Sequence, residues 1–204
     1  MPHFPIQPRQ AAHGLLVASV LLGLSTAAQA HTGHGTHSLM AGLVHPLGWD
    51  HLLAMVAVGV WSVLGLPSGK AGWGPVTFVL VLLVSATVGM AGVTLPYLEH
   101  AIALSVAVFG ALLALARQGL PVWAGMGLVA LAASLHGLAH GAEAPTTGHM
   151  GYALGFVLTT AALHAGGLSL GLAIRRWMAE RSGVALAGLG AALGVTGLAL
   201  VAQL

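Results

Sequence analysis

Two short strings in this chain bring candidate metal ligands together at close spacing. The first is His45-Pro46-Leu47-Gly48-Trp49-Asp50-His51. The second is Leu135-His136-Gly137-Leu138-Ala139-His140-Gly141-Ala142-Glu143. His136, His140 and Glu143 stand at i, i+4 and i+7, which places them on one face of a helix. Imidazole and carboxylate together suit first-row divalent ions such as nickel, cobalt and zinc. Both strings run into apolar sequence. Ionisable side chains at membrane depth are costly and are functional candidates for that reason. The apolar run from His51 to Leu66 is shorter than the roughly 20 residues a span needs. The helix is therefore expected to begin near Pro46, a favoured first-turn residue, which carries Asp50 and His51 into the membrane. Met55 shares the face of His51, but a thioether more often packs than ligates.

Other histidines and acids extend the set. Glu99-His100 opens a later apolar stretch just after Pro96, and His149 opens another. His164 lies deep within Thr159-Thr160-Ala161-Ala162-Leu163-His164. It reads either as a deeper metal station or as a helix-to-helix hydrogen bond. His31, His34 and His37 recur at three-residue spacing among Gly and Thr. That tract reads as a metal collector, against the plainer reading of a tail whose histidines do little. Trp49, Trp73, Trp123 and Trp177 fall near the ends of apolar stretches, as interfacial anchors do.

The elements that must position these residues are membrane helices. The chain has 204 residues, 57% hydrophobic and only 5% charged, against the quarter or so that a soluble domain carries. Such a chain needs an apolar solvent, and the lipid bilayer supplies one. Its 30 glycines suit close helix packing. Residues 1–30 read as a cleaved signal peptide: Arg9 in the n-region, Gly14 to Leu24 as the apolar core, and Ala28-Gln29-Ala30 as the cleavage box. An uncleaved first helix is the alternative. Residues 31–42 are expected to form a His-rich periplasmic tail, and 43–204 a six-helix transmembrane domain. Six stretches in that domain are predicted to span: 43–66, 74–94, 97–116, 121–141, 149–174 and 183–203. The fold class expected is all-α, a polytopic bundle of six transmembrane helices in a bacterial inner membrane, with a periplasmic mature N-terminus. That threading places Lys70, Arg117 and the Arg175–Arg181 cluster on the cytoplasmic side, as the positive-inside rule requires. It places the acids and histidines of the two strings in the outer half.

Exclusions follow from the same residues. There is no cysteine, so disulfides and thiolate sites are absent. The chain has no basic patch for nucleic acid, and no P-loop string for ATP hydrolysis.

The string from His45 to Gly59 resembles the first-helix signature of the HupE/UreJ family of nickel permeases. Leu135 to Glu143 resembles that family's second signature, and the segments Glu99 to Ser105 and Gly151 to Gly167 also look like its members. The likeness covers nearly the whole mature chain. It implies secondary transport of Ni(II), with Co(II) as the other candidate, to supply a metalloenzyme or cobalamin synthesis. It implies metal-handling roles for His45, Asp50, His51, Glu99, His136, His140 and Glu143. His31, His34, His37, His100, His149 and His164 are further candidate ligands. The His-x4-Asp-His spacing is one residue shorter than that family's usual pattern and resembles the separate NiCoT permeases. On a continuous helix one missing residue turns His45 by about 100°. The chain is read as a transporter and not an enzyme, with no prosthetic group. Candidate partners are a metallochaperone and an outer-membrane metal channel. The rival readings are an intramembrane metal-dependent enzyme, a haem-binding membrane protein, and a structural protein whose histidines only join helices.

Overall fold

The computed structural model describes residues 38–116, 118, 120–178, 180 and 182–204. The expected leader 1–30, along with His31, His34, His37, Arg117 and Arg181, lies outside the described residues. Among the described residues the fold is all helical, with no strand. The helices are α1 (Ser38–Val44), α2 (Trp49–Gly65), α3 (Trp73–Met90), α4 (Leu98–Ala114), α5 (Val122–Ala142), α6 (His149–Trp177) and α7 (Ser182–Val201), with a 3-10 turn at His45–Leu47 between α1 and α2.

Four of these, α3, α5, α6 and α7, are long and apolar enough to cross a membrane. Leu39–Leu47 and Trp49–Gly65 qualify together as a pair bent by 74°. Helix α4 is apolar but has 17 residues, about 25 Å at the helical rise. The expectation of one continuous first helix beginning near Pro46 is corrected here. Residues 38–42, expected in the tail, are already helical. The chain then tightens into the turn carrying Pro46, and Gly48 is extended (φ −54°, ψ 143°) before α2 starts at Trp49. Pro46 lacks an N–H and fits a first turn, so the break falls where the sequence is least able to continue a helix.

Large apolar side chains face outward along the long helices, including Val76, Leu80, Val84, Leu131, Leu158 and Val195. Polar ones such as His51, His136, His140, Thr160 and His164 are buried. In lipid, apolar surface gives helices little reason to associate, so close backbone approach decides which of them pair. Glycine provides it. A Cβ at Gly137 would strike the Leu82 carbonyl, and one at Gly141 the Ala86 carbonyl. The register rises together in both helices, so α3 and α5 run parallel. A Cβ at Gly167 would strike the Val56 carbonyl, and one at Gly171 the Val60 carbonyl and the Val63 side chain, so α2 and α6 also run parallel. Helix α1 lies along the first turns of α6, where Gly42 and Gly155 allow the contact and the Thr159 hydroxyl donates to the Leu43 carbonyl at 2.8 Å. Helices α4 and α7 are antiparallel, since Gly110 meets Gly190 and Gly194 while Gly197 meets Ala107. Trp49, Trp73, Trp123 and Trp177 are all exposed at helix ends, where interfacial anchors belong. Trp61 is instead buried, against Gly65 and Gly125.

A substitution pair tests this packing. Gly141→Val drives a side chain into the α3 backbone, and overpacking of this kind costs about 1–3 kcal/mol. Gly127 faces open space on the same helix, so Gly127→Ala should raise stability by up to about 1 kcal/mol. Thermal unfolding of the detergent-solubilised protein should fall for the first variant and hold or rise for the second.

Candidate metal centre

The site begins at the break before α2. Asp50 stands in the first turn of that helix, where a carboxylate is favoured by the helix dipole. Its Oδ1 accepts from the His51 backbone N–H and from His51 Nδ1–H, both at 2.8 Å. The carboxylate thereby sets the imidazole tautomer and leaves the Nε2 lone pair free, as carboxylates behind metal-binding histidines do. That Nε2 is buried and has no partner among the described residues.

Helix α5 supplies two more rings. His136 Nδ1–H donates to the Ala132 carbonyl one turn back at 2.8 Å, again leaving a buried Nε2 without a partner among the described residues. His140 is 1% exposed, and neither of its ring nitrogens has such a partner. Two orphaned nitrogens on one buried ring are a departure from the rule that interior polar atoms are paired. Gly137 and Gly141 seat α5 on α3, while the rings of His136 and His140 meet His51 and His45.

The third contributor is His45. The 3-10 turn and extended Gly48 replace the continuous helix on which its phase was judged, so the expected 100° displacement does not arise. His45 reaches the rings of α2 and α5 from the preceding turn. Its centroid lies 4.6 Å from that of His140 and 5.5 Å from that of His51. His51 and His140 are 4.7 Å apart. One ligand atom from each of His45, His51 and His140 falls within 4.8 Å of the others. His136 extends the group, 4.8 Å from His51. Tyr152 and Phe156 close the side facing α6, at 5.9 Å from His45 and 4.3 Å from His140.

Three neutral imidazoles converging on one point can hold a borderline divalent ion. A 2+ charge in an apolar surround is costly unless compensated. Two carboxylates stand one ring away: Asp50 behind His51, and Glu143, whose Oε2 lies 3.1 Å from His45 Nε2. With its proton on Nε2, His45 donates to Glu143 and keeps the Nδ1 lone pair. The set is therefore charge-balanced without a carboxylate needing to bind the ion directly. Glu143 also lines an open cleft of about 480 Å³ with Tyr97, Glu99, His100 and Ala139. Partial burial, and then the Glu99 carboxylate, push its carboxyl above the usual range.

The sequence-predicted residues thus divide. His45, Asp50, His51, His136, His140 and Glu143 come together. Glu99, exposed on the first turn of α4, does not complete the imidazole group and instead faces the outer cleft. His100 packs edge-on against Tyr97 at 5.6 Å in the same cleft. His149 is exposed and lines a separate cleft of about 280 Å³ beside Gly89 and Thr146. His164 is buried deeper on α6 and bonds its own Thr160 carbonyl at 2.8 Å, not a neighbouring helix. Tyr152, Phe156 and Phe78 were missed. The first two were legible: Tyr152, Phe156, Thr160 and His164 recur every fourth residue and form one buried stripe. Phe78 carried no such signal, because α3 is apolar on every face.

The chain matches the family model described as HupE / UreJ protein over residues 19–200. It is similar to Protein HupE of Rhizobium leguminosarum bv. viciae, with 42% identity over 182 residues, covering 84% of this chain and 92% of that protein. No solved structure matches it.

The Asp50–His51 pair gives a direct test. Asp50→Asn keeps the size but weakens the hold on the imidazole tautomer. Loss of such a partner lowers metal affinity by about 10- to 100-fold. Equilibrium dialysis of purified protein with Ni(II) should show that drop, while Glu180→Gln, remote in sequence from every cluster ligand, should bind as the unaltered chain does.

Proposed function

We propose that this chain, which belongs to the HupE/UreJ family, carries Ni(II), with Co(II) as an alternative cargo, across the bacterial inner membrane. HupE/UreJ proteins are in general nickel and cobalt transporters. The observation that carries the reading for this chain is the convergence of His45, His51 and His140 from the turn, α2 and α5 on one buried point. A transport site has to release its cargo. Imidazole donors with carboxylates held one ring back, beside an open acidic cleft, meet that need better than a closed four-ligand structural cage. The cation crosses chemically unchanged, so the reading includes no enzymatic step.

In this reading the bent pair, α3, α4, α5, α6 and α7 make six spans after a cleaved leader at 1–30. Helix directions support the count. Alternate threading requires the first and fifth spans to be parallel, the second and fourth parallel, and the third and sixth antiparallel. The glycine contacts have that pattern. The loops with Lys70, Arg117 and Arg175–Arg181 then face the cytoplasm, and Glu99, Glu143 and the cleft face the periplasm. His31, His34 and His37 gather metal at that face. An outer-membrane metal channel is the upstream partner proposed, and a metallochaperone the downstream one.

Radioactive Ni(II) uptake in cells without other nickel importers tests this. At matched membrane levels, His51→Ala and His136→Ala/His140→Ala should reduce uptake by more than the about 10- to 100-fold expected for an outer-shell partner. Co(II) should compete better than Mn(II) or Mg(II), because imidazole favours the former. Equal uptake in all strains would sink the reading.

Acid should slow uptake. Glu143, with its carboxyl held above the usual range, is neutralised at a higher pH than an ordinary carboxylate. The outer cleft then loses a negative charge, and cation capture weakens as pH falls. Initial rates measured from about pH 7.5 down to about pH 5, just above the ordinary carboxylate range, should decline, with a smaller decline in Glu143→Gln.

A further inference from the structure

Below the outer rings the polar atoms do not end. His164, on the buried stripe of α6, is 2% exposed and its Nε2 has no partner among the described residues. The Thr160 hydroxyl, one turn before it on the same face, is wholly buried and likewise lacks a partner among the described residues. His164 Nδ1–H is held by the Thr160 carbonyl, so the ring is oriented with its lone pair free, the same device used at His136. One aromatic side chain packs against both of these histidines. The Phe78 ring, wholly buried, lies 5.6 Å from His136 and 5.0 Å from His164.

We propose that His164 and Thr160 form a second, inner cation station, parted from the outer histidine group by the Phe78 ring. The proposal rests on the transport reading above and deepens it. An unpartnered imidazole nitrogen in an apolar interior is costly, and a divalent ion with its remaining waters would satisfy both orphaned atoms. Imidazole Nε2 ligates the ion, and the Thr160 hydroxyl accepts from an ion-bound water. The donor count falls inward, from three imidazoles backed by two carboxylates to one imidazole backed by a hydroxyl. Such a fall makes the inner station the weaker one, as directional release requires. Phe78, whose ring packs against both His136 and His164, has to move for an ion to pass from one to the other.

The test uses the full chain with His31, His34 and His37 changed to serine, so that the tail binds nothing, and Ni(II) alone as the probe. Equilibrium dialysis in detergent should show a tight and a weak class of bound ion. His164→Ala should remove the weak class and keep the tight one. Thr160→Val, nearly isosteric, should weaken the weak class by about 10-fold, the loss expected for an outer-shell partner. His51→Ala should remove the tight class and keep the weak one. His164→Asn, whose amide can still donate to the Thr160 carbonyl, repeats the test in a variant that keeps this bond. In proteoliposomes, His164→Ala and His164→Asn should both slow Ni(II) flux with tight binding unchanged. Retention of both classes and of full flux in the His164 variants would overturn the inner station and leave the outer site standing. Loss of both classes together in variants of unchanged elution profile would also overturn it, since the two would not be separate. Absence of the tight class from the unsubstituted site would overturn the outer reading and the inner one with it.

Discussion

Backbone-to-backbone contact through glycine is the interaction on which the site depends. Within a bilayer, apolar side chains gain nothing by leaving lipid for protein, so helices pair where their backbones can touch. Gly137 and Gly141 seat α5 on α3, and each is the neighbour of a histidine in sequence. Because successive residues on a helix point about 100° apart, seating the glycines turns His136 and His140 to another side. Gly59 and Gly167 likewise lock α2 to α6. Two clamped pairs then face each other, and the imidazoles fill the space between them.

What fills that space is an exception to ordinary interior chemistry. Buried polar atoms are nearly always paired. Here the Nε2 atoms of His51, His136 and His164 and both ring nitrogens of His140 have no partner among the described residues. Each of His51, His136 and His164 has its other nitrogen held, by Asp50 or by a carbonyl one turn back. The rings are thus fixed and their lone pairs left free. The carboxylates are placed unevenly. Asp50, Glu99 and Glu143 all lie at the end of the bundle where the cleft opens. Negative charge is therefore gathered at the mouth, and the donors offered further in are neutral nitrogens.

The break between α1 and α2 shows why a helical wheel is an incomplete guide. Read as one helix, the first span places His45 out of phase with His51. The 3-10 turn at His45–Leu47 and the extended Gly48 remove that phase relation. They let a shorter spacing reach the same point. The bend of 74° also lets α6 pack against α1 along its first turns and α2 along its later ones.

The sequence by itself determined the solvent, the helices and most of the candidate ligands. Charge scarcity and apolar run length depend only on composition and order, and spacing on a regular helix decides which residues share a face. His136 with His140, and Asp50 with His51, were legible for that reason. The tertiary structure alone decided which faces meet. It brought His45 to His140 across 95 positions of sequence, left Glu99 in the outer cleft, and set Phe78 against two histidines. Those outcomes depend on helix direction, glycine contact and one broken turn. Each is a relation between segments, and no local pattern of residues encodes it.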